Sequence, residues 1–327
     1  MKRRDFMTII AGAAAWPFGA RGQSPKKLPK VGVLWHAGSA EQEAPYFGSV
    51  LQGFKSLGYL DGQNISFEHR FPDEVPERFK SMAAELVSLN IDVLVVVGNN
   101  AAPYATSSTT AIPVVFILVG DPVGLNLVAS LARPGGNVTG IANFSAELIP
   151  KRLEILKDII PGLSRVALLA NMNARITGLY ISLTEAAAAQ LGLELQTFEV
   201  RSPEGLEAAF EAMGKAGMQA LTVNADGLGF THRALIAKLA LERRLPLAGF
   251  TRASVEAGAL ISYGVDNVAI CRRTAVYVDK ILRGASPAEL PVEQPTKFEY
   301  LINLKTANAL GVTIPSTLLA RADEVIE

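Results

Sequence analysis

The sequence predicts an α/β fold in which two lobes each carry a doubly wound parallel sheet flanked by helices. Three observations predict it. Residues 91–97 and 112–119 form two apolar runs rich in β-branched residues. A strand with one wet face alternates apolar and polar residues; these runs do not, so both faces must be covered, as in a parallel sheet between helix layers. Each run stops abruptly, at Gly98-Asn99-Asn100 and at Gly120-Asp121-Pro122. Ligands of open α/β sheets sit beyond the carboxyl ends of the strands, where helix N-termini also point. Finally, an alternation of strand and helix runs through the chain twice.

In order, residues 31–35 make a first short strand ending at His36-Ala37-Gly38-Ser39. Phe47, Val50, Leu51, Phe54 and Leu57 recur at helical spacing, and Gly58 is placed to end that helix. Ile65, Phe67 and His69 alternate with polar residues, which suits a strand nearer an edge. Pro76 opens a helix with a stripe of Phe79, Met82, Ala83, Leu86 and Val87. After the two central runs come a short helix at 125–132 and a strand at 138–142. The pattern then restarts with a helix marked by Leu153, Leu156, Ile159 and Ile160. Strands follow at 166–170, 193–200, 220–223 and 247–250, with helices at about 177–191, 204–216 and 231–244. These strands also end in polar groups: Asn171-Met172-Asn173, Asn224-Ala225-Asp226 and Thr251-Arg252. The join between lobes falls near Asn143-Phe144. The tail adds a strand at 259–263, a helix at 268–283 and a strand at 298–303, with Pro291 and Pro295 favouring an extended crossover before the last.

Residues 1–22 read as an export signal rather than as part of the fold. Lys2-Arg3-Arg4 is a basic start, residues 6–16 are apolar, and Ala20-Arg21-Gly22 offers small residues where a signal peptidase cuts. The apolar run is too short for a retained span, and Arg3-Arg4-Asp5-Phe6-Met7 resembles a twin-arginine signal. Cleavage near Gly22 and a periplasmic location are expected. The chain has 31 basic and 31 acidic residues; loss of four basic residues and one acidic residue with the leader leaves a net charge of −3. No basic footprint for nucleic acid is present. The single cysteine, Cys271, excludes an intramolecular disulfide and a cysteine-based zinc cluster.

Enzyme signatures are missing: there is no GxSxG elbow, Walker loop or HExxH. Gly227-Leu228-Gly229-Phe230-Thr231-His232 comes nearest to a dinucleotide fingerprint, but His232 takes the place of the third glycine, and a Gly-rich βα loop accounts for it. His36 alone of three histidines lies at a strand end among polar residues, where a hydrogen bond to ligand is the simplest role. Trp35, Phe144, Phe230, Phe250 and Tyr263 fall near strand ends or the lobe join; since aromatics there often serve the core, about two of the five are expected to face a ligand.

The segments FKSLGYLDGQNISFEHRF, IDVLVVVGNNAA, GDPVGLNLVASLARPGGNVTG, LISYGVD and PVEQPTKFEYLINLKTANALGVTIP, with RADEVIE at the end, together resemble the ABC-transporter substrate-binding proteins of type 1 periplasmic-binding fold, some of which bind tryptophan. The resemblance covers about residues 30–327 and extends to the leader. It departs at Asn99-Asn100, where many members carry Gly-Thr or a similar pair. The resemblance implies three crossovers forming a hinge, with lobe one at 29–143 plus 253–291 and lobe two at 144–252 plus 292–327. It also implies a monomer without cofactor or metal that hands a small molecule to an ABC permease.

The expected ligand is an amino acid or similar zwitterion, with an aromatic side chain favoured by the rim. Ser39 and the helix start after Asn99-Asn100 offer donors to a carboxylate. Asp121 or Asp226 offers an acceptor to an ammonium, although Asp121 before Pro122 equally suits a helix cap. Trp35, Phe144 or Phe250 offers a stacking surface, and Asn171, Asn173 and Asn224 complete the second rim. Arg175 and Arg252 are the only basic candidates. Two rivals remain at this level: a sensing subunit for a membrane receptor, and a periplasmic enzyme acting through His36 or the Gly227 loop.

Overall fold

The computed structural model describes residues 28–327, so the expected leader lies outside the described residues. The first half builds β1 (Lys30–Leu34), α1 (Tyr46–Ser56), β2 (Ser66–Arg70), α2 (Pro76–Ser88), β3 (Val93–Val97), α3 (Ala101–Ser108), β4 (Val114–Val119) and β5 (Val138–Ala142). The five strands form one parallel sheet in the order β2-β1-β3-β4-β5. Every residue of β3 and β4 is buried, as their unbroken apolar sequence requires. β2 lies at the edge and is half-buried throughout. Each fully buried aliphatic side chain of the central strands contributes roughly 1.5–3 kcal/mol.

The second half continues with α4 (Ile149–Ile159), β6 (Arg165–Asn171), α5 (Thr177–Gln190), β7 (Glu194–Val200), α6 (Leu206–Lys215), β8 (Ala220–Val223), α7 (Gly227–Thr231), α8 (Arg233–Glu242), β9 (Leu247–Gly249), α9 (Arg252–Glu256) and β10 (Ile261–Val265). After α10 (Asn267–Leu282) come β11 (Phe298–Asn303), α11 (Leu304–Leu310), α12 (Ser316–Leu319) and β12 (Glu324–Ile326). The second sheet runs β12-β11-β10-β9-β8-β6-β7. Its pairs are parallel except β10 with β11.

One expected boundary is corrected. Residues 253–265, expected in lobe one, lie in lobe two: Ile261 and Ser262 of β10 pair with Ala248 and Gly249 of β9 in the second sheet. Thr251, read as a rim, instead caps α9 through a hydrogen bond from the Ser254 amide. The return to lobe one comes at Asp266, which caps α10 by accepting from the Ala269 amide at 2.9 Å. α10 then packs along α1, so closely that a Cβ on Gly53 would stand 2.2 Å from the Arg272 carbonyl oxygen. Val292 and Glu293 still belong to lobe one, donating to the carbonyls of Leu131 and Gly140. The chain therefore crosses at Asn143-Phe144, at Asp266 and between Gln294 and Lys297. Two of these crossings are tied by the Lys297–Asp266 ion pair at 3.5 Å. Phe144 holds a left-handed φ of 43° at the first. Among the described residues, no helix is long and apolar enough to cross a membrane.

Candidate ligand cleft

The carboxyl ends of both sheets face each other. Lobe one presents His36 after β1, Glu74 after β2, Asn99 and Asn100 after β3, and Asn143 after β5; lobe two presents Asp226 after β8 and Phe250 after β9. With Tyr46, Phe230 and Asn267 they line an inner chamber of about 50 Å³. An outer chamber of about 580 Å³ adjoins it, bounded by Phe79 and Tyr104 from lobe one and by Asn171, Asn173, Arg175, Arg201 and His232 from lobe two.

The inner chamber is built around a buried histidine held by acids. Glu43 is fully buried. One of its oxygens accepts from the amides of His36 and Ala37 at 2.9 and 2.8 Å, while the other lies 3.4 Å from His36 Nε2. On the far side of the ring, His36 Nδ1 lies 3.2 Å from a Glu74 oxygen. Burial opposes a charge on the imidazole, but Glu43, Glu74 and Asp226 outweigh it and lift its pKa to about 9. Glu74 stands on two successive left-handed residues, Asp73 and Glu74, with φ of 59° and 56°. Its amide donates to the His36 carbonyl at 2.8 Å, and its carboxylate accepts from Asn100 Nδ2 at 2.7 Å.

Asp226 faces this group from lobe two. It caps α7 by accepting from the Gly229 amide at 2.8 Å. Burial pushes its carboxyl up to about 7, with the nearby charge of Glu74 adding to the effect, while the Gly229 amide and His36 pull the other way. One imidazolium thus sits among three acidic groups, so the chamber favours a positive charge. Its wall is aromatic: Tyr46 stacks on Phe230 at 4.7 Å, and His36 meets the same ring edge-on at 5.7 Å.

The lobes are in contact across the cleft. The Arg175 amide donates to Asn100 Oδ1 at 3.3 Å, Arg233 donates to the Ala44 carbonyl at 3.2 Å, and the Arg175 guanidinium lies over the Tyr104 ring at 5.2 Å. This is a closed arrangement.

Of the residues singled out in the sequence, His36, Asn99, Asn100, Asp226 and Phe250 line the inner chamber, and Asn171 and Asn173 line the outer one. Asn224 lies beside Asp226 in a small void, buried, with neither side-chain polar atom partnered among the described residues. Four others lie elsewhere. Trp35 is fully buried in the lobe-one core, where its ring stacks on Phe71 and Nε1 donates to His69 Nδ1 at 3.1 Å. Ser39 accepts from the Gln42 amide. Asp121 turns back on its own loop to accept from the Gly124 amide at 2.8 Å, the capping role that its Pro122 neighbour suggested. Phe144 packs on the lobe-one core at the crossover. The sequence reading missed Glu43, Glu74, Tyr46, Asn143 and Asn267. Of the five aromatics near strand ends or the lobe join, Phe230 and Phe250 are the two on the inner chamber. Among the described residues, no group of histidine, cysteine and acidic side chains is arranged to hold a metal ion.

A sequence model of the ABC transporter substrate binding proteins matches residues 39–326. The chain is 27% identical over 292 residues to the tyrosine-binding protein of Clostridioides difficile strain R20291, covering 88% of this chain and 82% of that one. A conserved domain protein from Vibrio cholerae is similar in structure, with a TM-score of 0.86 at 29% identity, over 91% of this chain and all of the other. So is the ABC domain from Streptococcus pneumonia in complex with L-Trp, with a TM-score of 0.83 at 26% identity over the same shares. With two α/β lobes, three crossovers and a cleft between facing strand ends, the chain belongs to the ABC transporter substrate-binding protein family, of type 1 periplasmic-binding fold.

Proposed function

We propose that this protein is an exported carrier that closes its lobes around an amino acid, with aromatic side chains preferred, and presents it to an ABC permease without altering it. One observation carries the reading: a buried, net-acidic cluster of Glu43, Glu74 and Asp226 around His36, set in an aromatic wall where the lobes meet. An α-ammonium supplies the positive charge this cluster lacks, and the asparagines at both rims supply neutral donors and acceptors. The relatives that bind tyrosine and L-Trp support the choice of amino acid. A non-catalytic role fits His36, because both ring nitrogens face carboxylates rather than a hydroxyl or thiol. Removal of the leader near Gly22 would release the carrier to the periplasm.

A thermal-shift screen of the mature protein against amino acids, sugars, nucleosides and polyamines tests this. At ~100 times its dissociation constant a ligand stabilises the fold by about 2.7 kcal/mol, or a melting shift of about 5 °C for a chain of this length. Shifts with aromatic amino acids are expected. Shifts with polyamines or sugars and with no amino acid would overturn the reading.

A further inference from the structure

The two chambers differ in size, and only the outer one is lined by arginines. The inner one, at about 50 Å³, has room for a few waters or an ammonium group, well short of the roughly 300–1,000 Å³ common for small-molecule sites. The outer one, at about 580 Å³, falls in that range. Glu74 and Asn100 line both, so the spaces join there.

The outer chamber carries two guanidiniums, Arg175 and Arg201, beside the acids Asp73, Glu74 and Glu204. Asp73 on its rim is engaged by Arg78 at 3.6 Å, and Glu204 is held by the Ser202 hydroxyl. Arg175 and Arg201 have no carboxylate within ion-pair distance among the described residues. Arg175 is positioned rather than loose. Its amide is bound to Asn100, and its guanidinium rests over Tyr104, which stacks on Phe79 at 5.6 Å and 8°. The hydroxyl of Thr231 is buried on this wall without a hydrogen-bond partner among the described residues.

We infer that the amino acid straddles the junction, its ammonium in the inner chamber against Glu74 and Asp226, its carboxylate on Arg175, and its side chain in the outer chamber against Tyr104. This rests on the amino-acid reading above. The arrangement makes the ligand a strap: its ammonium joins Glu74 of lobe one to Asp226 of lobe two, while its carboxylate on Arg175 of lobe two and its side chain on Tyr104 of lobe one join the lobes a second time.

The test compares L-tryptophan with L-tryptophanamide by titration calorimetry on wild type, Arg175→Met and Tyr104→Leu. Arg175 is exposed, so its variant should fold normally. In wild type the amide, lacking the carboxylate, should bind about 10-fold or more weakly, the usual effect of losing a charge-assisted hydrogen bond. In Arg175→Met the acid should fall to the level of the amide, bringing their ratio within about 2-fold. An undiminished ratio in Arg175→Met would assign the carboxylate to another group and overturn the inference while leaving the carrier reading intact. Equal loss of L-alanine and L-tryptophan binding in Tyr104→Leu, or binding of alkyl amino acids without L-tryptophan, would overturn the side-chain placement. A protein that binds no amino acid at all fails at the earlier screen, and both readings fall together.

Discussion

Tyr46 of lobe one and Phe230 of lobe two stack face to face across the cleft, ring centroids 4.7 Å apart and planes 16° from parallel. Both rings are buried, and the contact exists only when the lobes are closed. Such a pair contributes about 0.5–1.5 kcal/mol beyond the area it buries. Phe230→Leu keeps most of the volume and removes the stack. Ligand affinity should weaken by about 2- to 10-fold, the loss appearing in the dissociation rate. A stopped-flow measurement in which only association slows would show that the stack forms before closure.

Gly227 sits directly against the opposite lobe. A Cβ there would lie 1.6 Å from a Glu74 carboxylate oxygen. In Gly227→Ala, Glu74 must move away from His36 and Asn100 for the cleft to close. The open lobes are untouched, and alanine suits the start of α7 better than glycine. The ligand-free melt should therefore hold within about 1 °C, a surface-like effect, while affinity drops about 10-fold or more. Unchanged affinity would mean that Glu74 is not held in place by closure.

The two shifted groups give a pH dependence of definite sign. His36 rises from 6.5 to about 9 in the folded chain, so its contribution is complete below pH 6.5 and disappears as pH climbs through 9. Asp226 rises from 3.8 to about 7, so the contribution of its proton is complete below 3.8 and is lost as pH rises through 7. Stability without ligand should therefore decline steadily from about pH 4 to pH 9. Asp226→Asn should flatten the lower half of that decline and keep the upper half, moved toward lower pH because Asp226 helps to hold the His36 proton. A melting profile rising with pH across this range would contradict both assignments.

Arg152 is a fully buried guanidinium without an acidic partner among the described residues. It donates to the Tyr263 carbonyl at 2.8 Å and to the Ser145 carbonyl at 3.2 Å, and burial lowers its pKa to about 10. It thus joins the first crossover to the strand that precedes the second. Arg152→Met fills the space but strands both carbonyls, at about 1–3 kcal/mol each. Urea unfolding should show a loss of that size; a neutral result would indicate that water takes over both bonds.

Most of the strand plan was legible because buried parallel strands leave an unmistakable signature. The apolar runs of β3 and β4 marked two central strands, and the polar stops after β1 and β3 in lobe one and after β8 in lobe two lie on the inner chamber. What the sequence concealed is direction. Trp35 and Phe250 look alike as aromatics at strand ends, yet Trp35 turns into the core against Phe71 and Phe250 turns to the chamber. Asp121 and Asp226 look alike as acids beside a turn; both cap their own loops, but only Asp226 faces the other lobe. Glu74 carried no signal, because it follows an edge strand in a left-handed turn outside any periodic pattern. The second crossover lies later than its sequence suggests, because Thr251-Arg252 has the polar character of a lobe exit while serving as an ordinary βα turn.

The packing of α1 on α10 has a consequence for the order in which the molecule is made. Tyr59 hydrogen-bonds Asp279 at 2.8 Å across 220 residues of chain, and the buried faces of both helices wait for that meeting. A growing polypeptide therefore carries Val50 and Phe54 uncovered on one side until α10 emerges. Lobe two is no earlier, since β11 and β12 come from the last 30 residues. Each lobe holds a gap that only the end of the chain fills. Premature termination before α10 should therefore leave two incomplete lobes rather than one sound one, whereas trimming that takes only β11 and β12 should open lobe two alone.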